Sequence, residues 1–126
     1  MVTGHRSITG LLLCRAGAHR VAFAAHEVAT IESPSTFGGL AGCASQAFGG
    51  ACGAERILVA ATGEAVGVDA LEIDPEPMAL LPAPGVLAQV AGGSLSGFVQ
   101  VRGALWPLMS LAGFGRFLAP SAREAA

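Results

Sequence analysis

The sequence predicts a mainly β fold, a small barrel or sandwich closed by one short C-terminal helix. Two observations support this prediction: short apolar runs recur along the chain, and glycine-containing turns separate them. A third observation is that no segment shows a strong helical period. With 126 residues the chain is long enough for one core, so a single domain over residues 1–126 is expected.

The clearest hairpin lies in the middle of the chain. Its first apolar run ends at a turn over 62–64, and its second run ends on Asp69. A similar hairpin with a turn over 16–18 opens the chain. The proline at Pro107 places the last predicted strand at a sheet edge or a bulge. In order, the predicted elements are strands 8–15, 19–25, 28–32, 56–62, 65–69, 95–101 and 104–110, a helix 111–118 and a tail 119–126.

Two stretches between the predicted strands are irregular. Residues 33–54 form a Gly-rich connector, which is long for an unstructured loop in a compact domain. Residues 74–85 contain four prolines, which favour extended or turn conformations.

The composition excludes several functions. The charged fraction is 13%, the net charge is −2, and there is no basic cluster, so nucleic acid is not expected as a partner. The uncharged windows 33–54 and 77–101 are interrupted by glycine or proline and do not predict membrane insertion. No secretory leader pattern precedes residue 11, so a soluble, cytoplasmic protein is expected. The glycine clusters lack the lysine of a phosphate-binding loop, and no cofactor is predicted.

Catalytic and metal-binding chemistry receives little support. Histidines and cysteines lack the close spacing of a zinc site, so no metal site is predicted. The three cysteines are expected to be reduced thiols. One alternative stays open: a small thiol-dependent enzyme or redox sensor that uses Cys43 or Cys52 with His19 or His26 as the base. Otherwise no catalytic residue is predicted.

Several segments resemble the CheW-like coupling domain of bacterial chemotaxis. The order of hairpin, then the V-x-E-I-like segment VATI over 28–31, then hairpin is similar to that of the family, and the second hairpin ends in VGVD over 66–69. Residues 81–84 resemble the family's Pro-containing loop. Residues 97–111 read GFVQVRGALWPLMSL, which is similar to the family's G-x-x-N-L-R-G-x-x-x-P-x-x-D-L motif, with Arg102 at the position of the motif arginine.

The order of one motif differs from that of the family. In CheW-like domains the N-L-R-G motif precedes the second hairpin, whereas the similar run here follows it, and residues 33–54 contain no such motif. The family fold is a pair of small SH3-like β-barrels. The resemblance therefore implies a divergent, shortened member whose first barrel is reduced.

The resemblance also implies a function. CheW-like domains are non-catalytic adaptors that bind a CheA-type histidine kinase on one surface and the tip of a chemoreceptor in a groove between the barrels. By position, Val28, Ile31 and Arg102 are the expected partner-binding residues. Val28 and Ile31 lie three residues apart, so a bend in the strand is expected to separate their roles. A strand edge left unpaired in the reduced barrel predicts a tendency to form a homodimer.

Overall fold

The computed structural model describes residues 6–39, 41–51, 53–87 and 89–125. Within these ranges the chain forms eleven strands and one helix, with short 3₁₀ turns at 25–27, 44–48, 85–87 and 90–93. The elements are β1 (Arg6–Ile8), β2 (Leu11–Ala16), β3 (His19–Ala24), β4 (Val28–Glu32), β5 (Gly42–Cys43), β6 (Arg56–Ala60), β7 (Ala65–Val68), β8 (Ala70–Asp74), β9 (Met78–Pro82), β10 (Leu95–Val101), β11 (Ala104–Met109) and α1 (Leu111–Ala125).

The strands of the described residues form two open sheets. The larger sheet has seven strands in the order β1-β9-β10-β11-β3-β2-β8, and the smaller has four in the order β4-β6-β7-β5. Most neighbouring strands are antiparallel, whereas β3 with β11 and β5 with β7 are parallel. Strands β1–β3 and β8–β11 thus form the larger sheet, and the strands between them in the sequence, β4–β7, form the smaller sheet.

The hairpin β2–β3 is buried on both faces. Leu12 and Phe23 belong to a core that the smaller sheet and α1 complete, whereas Leu11 and Leu13 belong to a second core against β10 and β11. Strands covered on both faces read as continuous apolar runs, which is why residues 11–14 are Leu-Leu-Leu-Cys. The two cores thus share this hairpin as a common wall.

Helix α1 closes the first core. Leu111, Phe114 and Leu118 are at most 2% exposed and follow one face at helical spacing. The Glu27 carboxylate accepts a hydrogen bond from the backbone N–H of Leu111 at 3.2 Å, which satisfies a donor at the helix start and places a negative charge where the helix dipole favours it.

Each predicted strand overlaps an observed one, and the structure adds strands that the sequence reading left out. The added strands include β8 and β9. The prolines over 74–85 predicted turns or extended chain there, and no strand. Pro107 was predicted at an edge or a bulge: it lies in an interior strand, β11, and not at an edge, and a bulge in β10 between Leu95 and Gly97 lies opposite the neighbouring residues Leu108 and Met109. The pairing of β11 with β3 begins only at Leu108, so at Pro107 a missing N–H is tolerated.

The C-terminal tail and the connector also differ from expectation. The residues predicted as a tail, 119–126, are helical as far as Ala125, because α1 continues through Pro120. The connector 33–54 contains the two-residue strand β5 and the 3₁₀ turn over 44–48. Cys43 and Ala44 within it are buried, so part of this glycine-rich stretch joins the core.

Gly42 shows why the connector needs a residue without a side chain. A Cβ atom at this position would lie 2.5 Å from the Cβ and 2.8 Å from the carbonyl oxygen of Leu118 in α1. We expect Gly42→Ala to lower the free energy of unfolding by about 1–3 kcal/mol, because the helix must shift to accommodate the methyl group. Urea unfolding measures the change.

Gly53→Ala is the matched control, since nothing lies within 4 Å of a Cβ placed there. Its midpoint is expected to stay close to that of the unmodified protein. Equal urea midpoints for the two variants would show that α1 does not press on Gly42.

Candidate functional site

An apolar groove lies between the two sheets, and we call it the inter-sheet groove. Its volume is about 300 Å³. One wall is β4 of the smaller sheet, and the other comes from β2 and β8 of the larger sheet. The lining residues are Leu12, Ala25, Val28, Ala29, Thr30, Ile31 and Ile73.

A bulge in β4 brings Val28 and Ile31 together. Val28 pairs with Ala60 and Ile31 pairs with Leu58, with a register shift between Val28 and Thr30. Ala60 and Leu58 are two residues apart and face the same core, so their partners share that face as well. The bend expected to separate Val28 and Ile31 instead places both along the inter-sheet groove, Val28 half-buried and Ile31 39% exposed.

Ile73 is the groove residue that the sequence reading missed. It lies on β8 opposite Leu12 of β2, and 61% of its surface is exposed. The alternation Leu71-Glu72-Ile73-Asp74 is a strand signal with period two. It follows β7 with only Asp69 between them, where the predicted hairpin ends, and the sequence analysis predicts no strand over 70–74.

Arg102 lies outside the inter-sheet groove. It sits in the β10–β11 turn with a left-handed backbone (φ 47°), and its guanidinium lies 3.5 Å from Glu72 and 3.6 Å from Asp74. Both carboxylates project from β8 on the side opposite Ile73, because successive residues of a strand alternate faces. The structure therefore separates Arg102 from Val28 and Ile31 and makes it a contact between the β10–β11 turn and the β8 edge.

The groove's lining determines what it can do chemically. Thr30 is the one polar side chain among the described lining residues, and its hydroxyl donates a hydrogen bond to Glu32 at 3.1 Å. None of these described lining residues is titratable. Among the described residues, no group of three or more His, Cys, Asp or Glu is placed to hold a metal ion. Such a surface binds by burying apolar area.

Disulfide bonding and burial argue against the proposed thiol chemistry at the cysteines that the structure describes. Cys43 is 2% exposed and, contrary to the expectation of reduced thiols, is disulfide-bonded. Cys52 lies outside the described residues. His19 stacks on the Phe48 ring with centroids 4.4 Å apart. The remaining cysteine, Cys14, is fully buried, and burial raises the pKa of its thiol to about 12, so it is not a nucleophile near neutral pH.

Cys14 leads to a prediction about alkaline stability. In the unfolded chain its pKa returns towards 9.0, so between pH 9 and 12 the unfolded state loses the proton first. The stability contributed by the protonated thiol is complete below pH 9 and is expected to fall by about 1 kcal/mol per pH unit up to pH 12. Urea unfolding at several pH values measures this slope.

The chain is well suited to this measurement because it contains no Lys and no Tyr, the residues that ordinarily titrate in the same range. Cys14→Ala should make stability nearly independent of pH across the same window. An unchanged slope in this variant would assign the loss to other groups.

The β6–β7 turn carries the other perturbed group. The Thr62 hydroxyl donates a hydrogen bond to Glu64, which lowers the pKa of this carboxyl, and Arg116 of α1 lies 3.3 Å away. Glu64 lines none of the three clefts described for this protein, and its contact with Arg116 links the turn to the helix.

No helix in the described ranges combines the length and apolar content that a membrane crossing requires. No family model matches the chain, and no curated protein matches it in sequence. Among solved structures, the scaffolding protein TtCheW from Thermoanaerobacter tengcongensis is similar, with a TM-score of 0.60 over 85% of this chain and 92% of that chain, at 15% identity. The predicted fold is thus confirmed: the protein is mainly β with two sheets, one a half-barrel, and a C-terminal helix, and it has the CheW-like fold.

Proposed function

We propose that the protein is a non-catalytic adaptor in a bacterial chemosensory pathway, acting in the cytoplasm. The observation that supports this most is the inter-sheet groove, an apolar cleft between the two sheets that carries Val28, Ile31 and Ile73. In the family that the sequence resembles, a groove between the two barrels accommodates the chemoreceptor tip. Its partners in this proposal are a chemoreceptor, a CheA-type histidine kinase, or both.

The physical basis of binding is apolar burial. Ile31 and Ile73 are large side chains that water reaches in the free protein, at 39% and 61% exposure, from opposite walls of one cleft. A partner that inserts an apolar side chain between them removes both from water, at about 25 cal/mol per Å² of apolar area. Because none of the lining residues that the structure describes carries a charge, these residues add no desolvation of an ionised group that would oppose the gain.

Two calorimetric titrations test the proposal, one with the regulatory domain of the cognate CheA-type kinase and one with the signalling tip of the chemoreceptor. Saturable binding at micromolar concentration in either titration is the expected result. Heats indistinguishable from dilution in both, at high micromolar concentration, would refute the adaptor role.

The open edge of the smaller sheet supports a second proposal, self-association. Within the described residues β4 pairs with β6 on one side and with no strand on the other, whereas the opposite edge, β5, is covered by α1. An unpaired edge is a template for another strand, and a second copy of the chain can supply one.

We expect the sedimentation mass to rise between low and high micromolar concentration. Thr30→Lys, which puts a charge on the β4 edge, should suppress the rise, and Thr36→Lys in the exposed stretch after β4 should leave it unchanged. A monomer mass at every concentration would exclude the dimer.

A further inference from the structure

A second cavity lies beside α1, and we call it the aromatic pocket. Its volume is about 300 Å³. Four of the chain's six phenylalanines line it. The lining residues are Ala47, Phe48, Leu87, Val90, Leu95, Phe98, Pro107, Met109, Phe114 and Phe117.

The aromatic pocket is concave because four separate segments form its walls. These are the 3₁₀ turn over 44–48, the pair of 3₁₀ turns over 85–87 and 90–93, the β10–β11 hairpin and α1. Its floor is core: Met109 is 5% and Phe114 1% exposed. Its rim is open to solvent, with Phe48, Val90 and Phe117 each more than two-fifths exposed. A molecule that enters therefore meets apolar atoms below and on all four sides.

Gly92 allows the loop to complete this rim. Its backbone is left-handed (φ +69°), and a Cβ there would lie 3.3 Å from the Phe117 ring. Glycine thus permits both the turn and the close approach of the loop to the helix. The Phe117 ring in turn lies parallel to that of Phe114, with centroids 6.3 Å apart, so two of the aromatic walls have a fixed relative orientation.

The lining determines the class of occupant. None of the ten side chains carries a charge or a hydrogen-bonding group, so an ionised ligand would lose its hydration without compensation. The volume is at the lower end of the range for small-molecule pockets, about 300–1,000 Å³. A protein partner, in contrast, needs about 1,200 Å² or more of buried surface in total, so it would have to cover much more of the protein than this pocket.

We infer that the aromatic pocket binds a neutral, apolar small molecule, one with an aromatic or branched hydrocarbon body and no ionised group. This site is distinct from the inter-sheet groove: the two linings share no residue. The inference is independent of the adaptor role, since it depends on the pocket alone.

Fluorescence titration with N-phenyl-1-naphthylamine, a neutral apolar probe, tests the inference. We expect saturable binding of one probe per chain at micromolar concentration. The anionic probe 1-anilinonaphthalene-8-sulfonate should bind at least about tenfold more weakly, because its sulfonate must be desolvated or left outside. Equal affinity for both probes, or a signal that never saturates, would overturn the inference.

Variants locate the site. Ala47→Trp fills the pocket from an exposed rim position and should weaken probe binding at least about tenfold. Val90→Glu, which puts a charge at the rim, provides a second test if the first variant folds poorly. Ile73→Ser in the inter-sheet groove is the control and should stay within about twofold. A loss of the same size in Ile73→Ser would place the probe in the groove instead. Probe release that accompanies a rise in sedimentation mass would show that a second copy occupies the pocket.

Discussion

Ile73→Asp is expected to weaken binding of the proposed groove partner about 100-fold and to leave the fold intact. Ile73 is 61% exposed in the free protein, so its replacement costs little stability there. In the complex the new carboxylate would be buried among Leu12, Val28 and Ile31 without a counter-charge, and an uncompensated buried charge costs roughly 2–5 kcal/mol. Calorimetric titration of the variant with the receptor tip or the kinase domain measures the loss.

Val86→Asp is the matched control for this experiment. Val86 is 87% exposed and lies in the loop after β9, away from the inter-sheet groove. It introduces the same charge at an apolar surface position, so it corrects for the change in net charge. Equal affinities for the two variants would mean that the partner binds elsewhere on the molecule.

Phe23→Ala is expected to lower the free energy of unfolding by about 3–5 kcal/mol, a large part of the 5–15 kcal/mol typical of a domain. The Phe23 ring is fully buried on β3, and its centroid lies 6.1 Å from that of Phe114 in α1. Its removal leaves a cavity at the point where β3 and the helix meet, and the shared β2–β3 wall cannot collapse into it without disturbing the second core. Urea unfolding with an unchanged m-value measures the effect.

Phe48→Ala makes the same substitution at a site that is 42% exposed. We expect it to cost about 1–2 kcal/mol, clearly less than Phe23→Ala, because a large part of the Phe48 side chain is already exposed to water. If both variants lost equal stability, the ring of Phe23 would not be the core contact that its burial indicates.

The short-range patterns of the sequence predicted most of the sheet. Turns with glycine between apolar runs located both hairpins, β2–β3 and β6–β7, because the signal lies within a few residues. Strands that depend on distant partners were missed. β9 follows Pro77 and ends on Pro82, and it is extended because β1, from the start of the chain, and β10, the next strand, pair with it on its two sides. No pattern within β9 reports these pairings.

The candidate site was predictable in part for the same reason. Val28 and Ile31 were selected by their position relative to the first hairpin, which the sequence displays. Their common face depends on the bulge against β6, a feature of register with a strand more than 25 residues away. Ile73 joins them only because β8 pairs with β2. Arg102 was selected for its motif, and the structure assigns it an ion pair with β8 outside the groove.

The position of the β2–β3 hairpin also affects how the chain is made. One face of the hairpin is covered by β10 and β11 and the other by β6, β7 and α1, all of which are synthesised later. On the ribosome the segment Leu11-Leu-Leu-Cys14 therefore stays uncovered until nearly the whole polypeptide has emerged. A nascent chain with such an exposed apolar segment is a substrate for ribosome-associated chaperones. The yield of folded protein should therefore depend on the supply of these chaperones, although the protein is small.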